Sequence, residues 1–550
     1  MKAMKIGLFA AAVASAGALF ALPAPEGFEV GKVPEDGTWV KMPWKDVTRT
    51  ALERLHKEGK KVAATDSKER GIEYRAAVIL GVDALEVRFP DRLAGFKARK
   101  AEASVLPDGC GSSGATKLVY EKKGGLPAKD EFRISPKRTF YVEFLYETSD
   151  AVPYKQRKDA VILTNGKYSI DVVSFDRKAY VYRLEDPTKP ARIGVSFEPS
   201  VRTFAWWKWD YLQGVRRADV VPPEALDGDY WLEVVSPDEP VRQRITDFRC
   251  YEPSYEIKAK PWKPLPPVAD PKVPKGAALL GLSRTIIDET PRKADICPDP
   301  RRDGKYKWYS GIWYVEGIPL DRYEDVEGAL KIIAPGKQDP VVDPKTGKKK
   351  KAPRGGMLVS CPREGKNRDN AQLPYLDGAK PFYIEWEISL SSNDPDHYLE
   401  LWLMPNLSVA GSRAHYDGDP VGPGWQMERW LELDVEESGL TGPKSLGMCG
   451  TAHNSWQFGH PNMHHLMNGG NHISKIPIDR TKRVRYGASW DPATLAVKWY
   501  IDDDERISAS YPQVPAIMRD QQSYMIMGAA QRRKKVPYDM FVHRIRVYAP

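Results

Sequence analysis

Cysteine is scarce in this chain: five residues among 550, at Cys110, Cys250, Cys297, Cys361 and Cys449. Their scatter excludes a dense disulfide framework and a zinc site of the Cys-x-x-Cys type. It leaves room for one or two bridges and one odd thiol. Also missing are a Gly-rich phosphate loop, a His-Glu-x-x-His helix and a Gly-x-Ser-x-Gly elbow. Nucleotide-dependent chemistry, zinc proteolysis and serine hydrolysis of the common kinds therefore lack their machinery. Long apolar runs are absent except at the start, "MKAMKIGLFAAAVASAGALFALPAPEGF". Lys2 and Lys5 precede an apolar, small-residue run from Ile6 to Leu22, and Ala16-Gly17-Ala18 has the small-x-small cleavage form. This pattern predicts a secretory signal peptide over residues 1–24, with cuts after Ala21 or Ala24 also compatible. The run is short for a membrane span. A secreted protein, periplasmic or extracellular, with no membrane span after cleavage is expected.

What is present is an aromatic-rich soluble composition, with 16 Trp and 26 Tyr. The formal charge of +9 falls to +7 once the two leader lysines are gone. That bias permits an anionic partner without demanding one, and it does not call for nucleic acid.

The length exceeds a single core. A Pro/Lys-rich stretch, "YEPSYEIKAKPWKPLPPVADPKVPKGAA", cannot hold a central strand or a helix and reads as a stiff extended linker over residues 253–278. It divides a β-rich region at 26–252 from a second at 279–550. "TFYVEFLYETSD" and "PFYIEWEISLSSND" look alike, as do "RITDFRCYEP" and "VHRIRVYAP". Both regions are therefore expected to be β-sandwiches of similar architecture. One helix is expected near Trp44–Glu58. The second region carries alternating runs, "YLELWLMP", "WLELDVEES", "VRYGASWD", "AVKWYIDDD", "SYMIMGAA" and "FVHRIRVYA", separated by turn residues. Many strands and few helices predict an all-β fold of two packed antiparallel sheets.

"WLELDVEESG" holds the densest set of carboxyls. Period-two alternation puts Leu431, Leu433 and Val435 on one face, and Trp430, Glu432, Asp434 and Glu436 on the other. Like charges in a row repel, so something must use or neutralise them. Residues i and i+4 lie about 13 Å apart along a strand. Two glutamates leaning together bring their carboxyls to about 5–6 Å, close to the spacing of a retaining glycosidase pair. Three coupled carboxyls cannot all ionise at ordinary pH, and a retained proton is what a general acid needs.

Several of these runs, in this order, resemble glycoside hydrolase family 16, retaining endo-glycanases with a concanavalin A-like β-jelly roll. "YLELWLMP" is similar to the strand before the catalytic one and "ELDVEES" to the catalytic signature. "GTAH" (Gly450–His453) resembles the strand after it, and "YGASWDPATLAVKWYIDDD" the Tyr-x-x-x-Trp and Trp-Tyr-x-Asp-Gly pair. "YMIMGAA" and "RIRVYAP" are similar to the closing strands. The resemblance spans about 270 residues. It implies Glu432 as nucleophile and Asp434 as its partner. The family has a regular Glu-x-Asp-x-Glu form and a bulged Glu-x-Asp-x-x-Glu form. Both fit here, so the acid/base is Glu436 or Glu437, and the "GTAH" strand that accompanies bulged members favours Glu437. Departures are "DDDE" in place of the Asp-Gly turn, and a His-rich segment after "GTAH".

Around this strand, Trp402, Trp425, Trp430 and Trp456 are candidates for stacking on sugar rings, with core packing the alternative. His453 and its neighbours His460, His464, His465 and His472 match no zinc spacing and read as cleft lining. Arg532 lies in the basic run "AQRRKKVP", which suggests an anionic, sulfated polysaccharide. The lysine run at 343–356 reads as a solvated loop. "FAWWKWDYL" in the first region reads as one core face and one sugar platform. The expectation is a secreted endo-acting glycoside hydrolase or transglycosylase. Its substrate would be a β-glucan or sulfated galactan, and it would need no cofactor or metal. A lectin-like protein without catalysis is the alternative.

Overall fold

A computed structural model describes residues 134–148, 160–174, 191–208, 211–235, 243–253, 257–298, 306–312, 318–336, 355–361, 371–405, 430–437, 450–456, 476–531 and 536–550, with short pieces elsewhere. The leader, Trp425, Arg532 and the lysine run apart from Lys349–Lys350, Gly355 and Gly356 lie outside the described residues, as does nearly all of the helix expected at 44–58. Two compact units form. One is residues 68–256; the other is residues 257–550 together with the first 67. Among the described residues no helix is long and apolar enough to cross a membrane.

Each unit is a sandwich of mainly antiparallel sheets, as the alternating runs predict, with parallel pairs at two edges, Trp231–Val235 with Phe96–Arg99 and Ile296–Cys297 with Trp308–Ser310. In the C-terminal unit one sheet runs in the order Tyr323–Val326, Ala329–Ala334, Tyr538–Tyr548, Phe382–Leu390, Val484–Asp491, Ala496–Ile501, Asp504–Ser510. The other runs Ile296–Cys297, Trp308–Ser310, Met357–Val359, Gln522–Gln531, His397–Pro405, Trp430–Glu437, Thr451–Trp456, His464–His465. This is a jelly roll. Alternation explains it locally: Ile384, Trp386 and Ile388 are buried along one face of their strand, while Tyr383 and Glu385 occupy the other.

That other face is also covered. The Pro/Lys-rich segment ends in a short helix, Lys275–Leu279, so the expectation of a helix-free spacer needs correcting at this end. Ala277 and Leu282 pack with Tyr383, Tyr500 and Tyr548. Gly276 lies against the Tyr383 ring, where a Cβ would collide. The backbone N–H groups of Lys258 and Ala259 donate to the Asp520 carboxylate, each at 2.7 Å, and Lys275 N–H donates to Asp503 at 2.9 Å. Prolines remove donors, but the apolar residues between them still gain by burial.

In the N-terminal unit one sheet runs Tyr211–Arg216, Thr203–Lys208, Ala191–Glu198, Phe140–Thr148, Gln243–Pro253, Thr116–Tyr120, Ala103–Pro107. It packs on a smaller sheet, Ser169–Ser174, Ala160–Thr164, Trp231–Val235, Phe96–Arg99. The core between them holds Phe140, Val142, Phe144, Leu163, Phe197, Phe204 and Leu232. The sugar platform expected in "FAWWKWDYL" is not found in its described residues. Trp206 and Trp207 are both buried, and each indole N–H is bonded inside, to Asp171 C=O at 2.8 Å and Ser196 Oγ at 2.9 Å. Cys250, Cys297 and Cys361 are buried thiols.

Candidate active site

The acidic strand, Trp430–Glu437, lies between His397–Pro405 and Thr451–Trp456. Pairing with the former is Leu403 with Leu433, Trp402 with Asp434, Leu401 with Glu436 and Glu400 with Glu437. Two residues on one strand thus answer one on the other at Val435, which is a β-bulge. Directly opposed residues share a face of the sheet. Glu437 therefore stands with Glu400, Trp402, Asp434 and Glu432. Glu436 stands with Leu401, Leu403 and Leu433, facing the opposite sheet. The Tyr486 phenol there is pushed far up, first by burial and then by the charge of Glu436.

Two contacts hold the bulge. The Trp499 indole N–H donates to the Asp434 carbonyl at 2.7 Å, from the opposite sheet. Gly450, at the head of the following strand, sits against the Trp499 ring where no Cβ fits. This accounts for the glycine of "GTAH".

The carboxyls are buried: Glu432 at 2%, Asp434 at 1%, Glu437 at 4% and Glu400 at 4% exposure. Asp434 interacts with both Glu432 and Glu437, and its carboxyl is held far above the usual aspartate range. Burial is the main cause. The charge of Glu437 and the polar contact with it add, the polar contact with Glu432 opposes, and the charge of Glu400 adds a little. The set therefore holds a proton to higher pH than isolated carboxyls would. Tyr398 donates its hydroxyl to Glu437 Oε1. The Tyr538 hydroxyl donates to the carbonyls of Tyr398 and Ala530, the latter at 3.0 Å, fixing the strand that carries Tyr398.

Of the aromatic candidates, Trp402 is buried, one register step from Glu400 and opposite Asp434. Trp430 opens the acidic strand with its backbone paired to Ser455. His453 pairs with Glu432, and Trp456 with His464. Tyr398 and Glu400 were missed as neighbours of the acids. Their signal lay in "YLELW", where they alternate with Trp402 and share its face.

No family model matches the chain, and no curated protein does. Among solved structures, a laminarinase from a Flavobacterium species is similar at 12% identity and a TM-score of 0.31, over 48% of this chain and 100% of that one. A κ-carrageenase from Pseudoalteromonas carrageenovora, solved with an oligotetrasaccharide of κ-carrageenan, stands at 14% and 0.27, over 42% and 83%. A non-specific endo-β-1,3(4)-glucanase of glycoside hydrolase family 16 stands at 14% and 0.30, over 48% and 94%.

Proposed function

We propose that this chain is a secreted, retaining endo-glycoside hydrolase or transglycosylase acting on a β-linked polysaccharide, with its reaction centred on the acidic strand of residues 279–550. The observation that carries the reading is the bulge at Val435. Glu432 lies one step beyond the Leu403–Leu433 pair, and Glu437 pairs with Glu400. Five residue steps on the acidic strand thus cover the length of four on its neighbour, about 13 Å between Cα atoms. Side chains leaning together then bring the carboxyls to the ~5–5.5 Å of a double-displacement pair.

The steps follow from the placement. The Glu432 carboxylate attacks the anomeric carbon and forms a glycosyl ester, while Glu437 gives its proton to the departing glycosidic oxygen. Glu437, now ionised, takes a proton from water or an acceptor hydroxyl, whose oxygen attacks the same carbon and frees Glu432. Asp434, on the same face between them, shares a proton with this set and limits the repulsion between them. The Tyr398 hydroxyl orients Glu437.

A β-glucan and a sulfated galactan are the two substrate classes in view. Incubation with laminarin, lichenan, agar, porphyran and carrageenans tests this. Release of oligosaccharides by wild type, and none by Glu432→Gln, is expected. Product from neither protein on any polymer would favour the lectin-like alternative, and equal product from both would remove Glu432 from the nucleophile role.

A further inference from the structure

The N-terminal unit repeats the strand order of one C-terminal sheet, and its smaller four-stranded sheet answers only part of the nine-stranded other. Its larger sheet has the same order, with the hairpin and the early short strand (Ala84–Glu86 in one, Thr285–Glu289 in the other) attached at the same places. The side chains agree in register. Glu143 lies between Gly194 and Arg249 on the flanking strands, and Glu385 lies between Gly487 and Arg546. Tyr141 donates to Glu143 at 2.8 Å, and Tyr383 to Glu385 at 3.1 Å. Both tyrosine rings occupy the space a Cβ would need at the facing glycine. Arg192 bonds Glu143 at 3.0 Å, and Arg485, also two residues before the glycine, approaches Glu385 at 4.0 Å. Arg202 and Leu495 hold the same left-handed turn position, φ 42° and 51°.

This register identifies the counterpart of the acidic strand as Ser169–Ser174. It carries a bulge at the matching place, at Val172, between Asp171 and Val173. The Trp206 indole N–H donates to the Asp171 carbonyl at 2.8 Å, as Trp499 does to Asp434 at 2.7 Å. Asp171 thus stands where Asp434 stands. Ser169 takes the place of Glu432, and Ser174 that of Glu437. With neither a nucleophile nor an acid, double displacement cannot run there.

The bulge and its tryptophan clamp remain, and they still turn the strand's polar residues outward. Unlike the buried acids of the other unit, this face is partly open at its described residues, although Thr164 within it is buried and Trp231 also packs against the core. Ser169 is exposed, and Asp171, Ile162 and Trp231 are partly so. Trp231 pairs with Thr164, which pairs with Ser169, so the three share one face. Ser169 donates to Thr164 at 2.6 Å, and the Trp231 ring lies close to Gly166 at the hairpin. An indole beside hydroxyls and a carboxylate suits a sugar ring, which offers an apolar face to the indole and hydroxyls to the rest.

We infer that the N-terminal unit is a hydrolytically silent copy of the catalytic sandwich, and that the face carrying Ser169, Asp171 and Trp231 binds a polysaccharide chain without cleaving it. The ligand class rests on the reading of the C-terminal unit. The test uses the full-length chain with Glu432→Gln, so that the ligand stays intact, run in native gels cast with laminarin, lichenan, agar or κ-carrageenan. Retardation in at least one gel is expected. Adding Trp231→Ala, or separately Ser169→Leu, should weaken the apparent affinity by about tenfold. In the chain with Glu432 intact, the same changes should leave cleavage of short soluble oligosaccharides as it was. Ser169 is exposed, so its variant reports on the face even if the tryptophan variant unfolds. Undiminished retardation with Ser169→Leu, or no retardation in any gel, would overturn the inference. A chain that cleaves no polymer, yet is retarded in a manner that depends on Trp231 and Ser169, would uphold it while removing the catalytic reading.

Discussion

The bulge at Val435 makes adjacent glutamates chemically unequal, and replacing each in turn reads this directly. Without a bulge, Glu436 would share the face of Glu432; with it, Glu437 does. Glu437→Gln removes the proposed proton donor while keeping the shape, so kcat/KM on a polymer should fall by about 10²–10⁴. The defect should shrink on an aryl glycoside whose leaving group needs no proton, because only the first step is then relieved of its acid. A burst of the aryl alcohol followed by slow turnover is the expected trace. Glu436→Gln acts on a side chain that faces the opposite sheet beside Tyr486. Its kcat/KM should stay within about threefold of wild type, roughly 0.65 kcal/mol, the size of an indirect effect. Reducing-sugar release on the polymer and stopped-flow release of the aryl group supply the two measurements. If Glu436→Gln falls as far as Glu437→Gln on both substrates, or if Glu437→Gln keeps full activity on the polymer, the face assignment and the mechanism built on it are wrong.

Three further outcomes are expected. Trp499→Phe strands the buried Asp434 carbonyl and should cost about 2–4 kcal/mol in urea unfolding, with activity lost in the folded protein as the bulge relaxes. Arg546→Met leaves the buried Glu385 carboxylate with only its Tyr383 and more distant Arg485 contacts, and should cost about 3 kcal/mol in the same assay. Asp434 has a raised value in the folded state, so the folded chain holds a proton there that the unfolded chain has lost. Its contribution to stability is therefore complete below the ordinary aspartate range and declines as pH rises through the raised value. Asp434→Asn should remove that part of the decline, and unfolding curves collected from pH 4 upward that keep the full slope would contradict the assignment.

Much of the fold was legible because burial on one side imposes alternation. Val484–Asp491 was read to the residue, and the strands around the site to within a few. The likeness of the two units was half legible. "FYVE" with "FYIE" and the terminal runs were noticed, while "RIGVSFEP" with "RYGASWDP" was a stronger signal and passed unread. The packing of the proline-rich segment was not legible. Proline content reports what a backbone cannot do, not which face its remaining apolar residues will cover.

For the site, the sequence alone determined that three or four carboxyls share a short strand and that like charges there require a use. It could not decide between Glu436 and Glu437, because a bulge is a property of two strands. One strand's residues carry no mark of how many partners answer them across the ladder. Only the tertiary structure brings Trp499 from the opposite sheet to the Asp434 carbonyl, and sets Glu400 against Glu437. The same register shows that Ser169 and Ser174 stand where the acids stand in the other copy. Those serines draw no attention in a linear reading, since an absent carboxyl becomes visible only once its position is known.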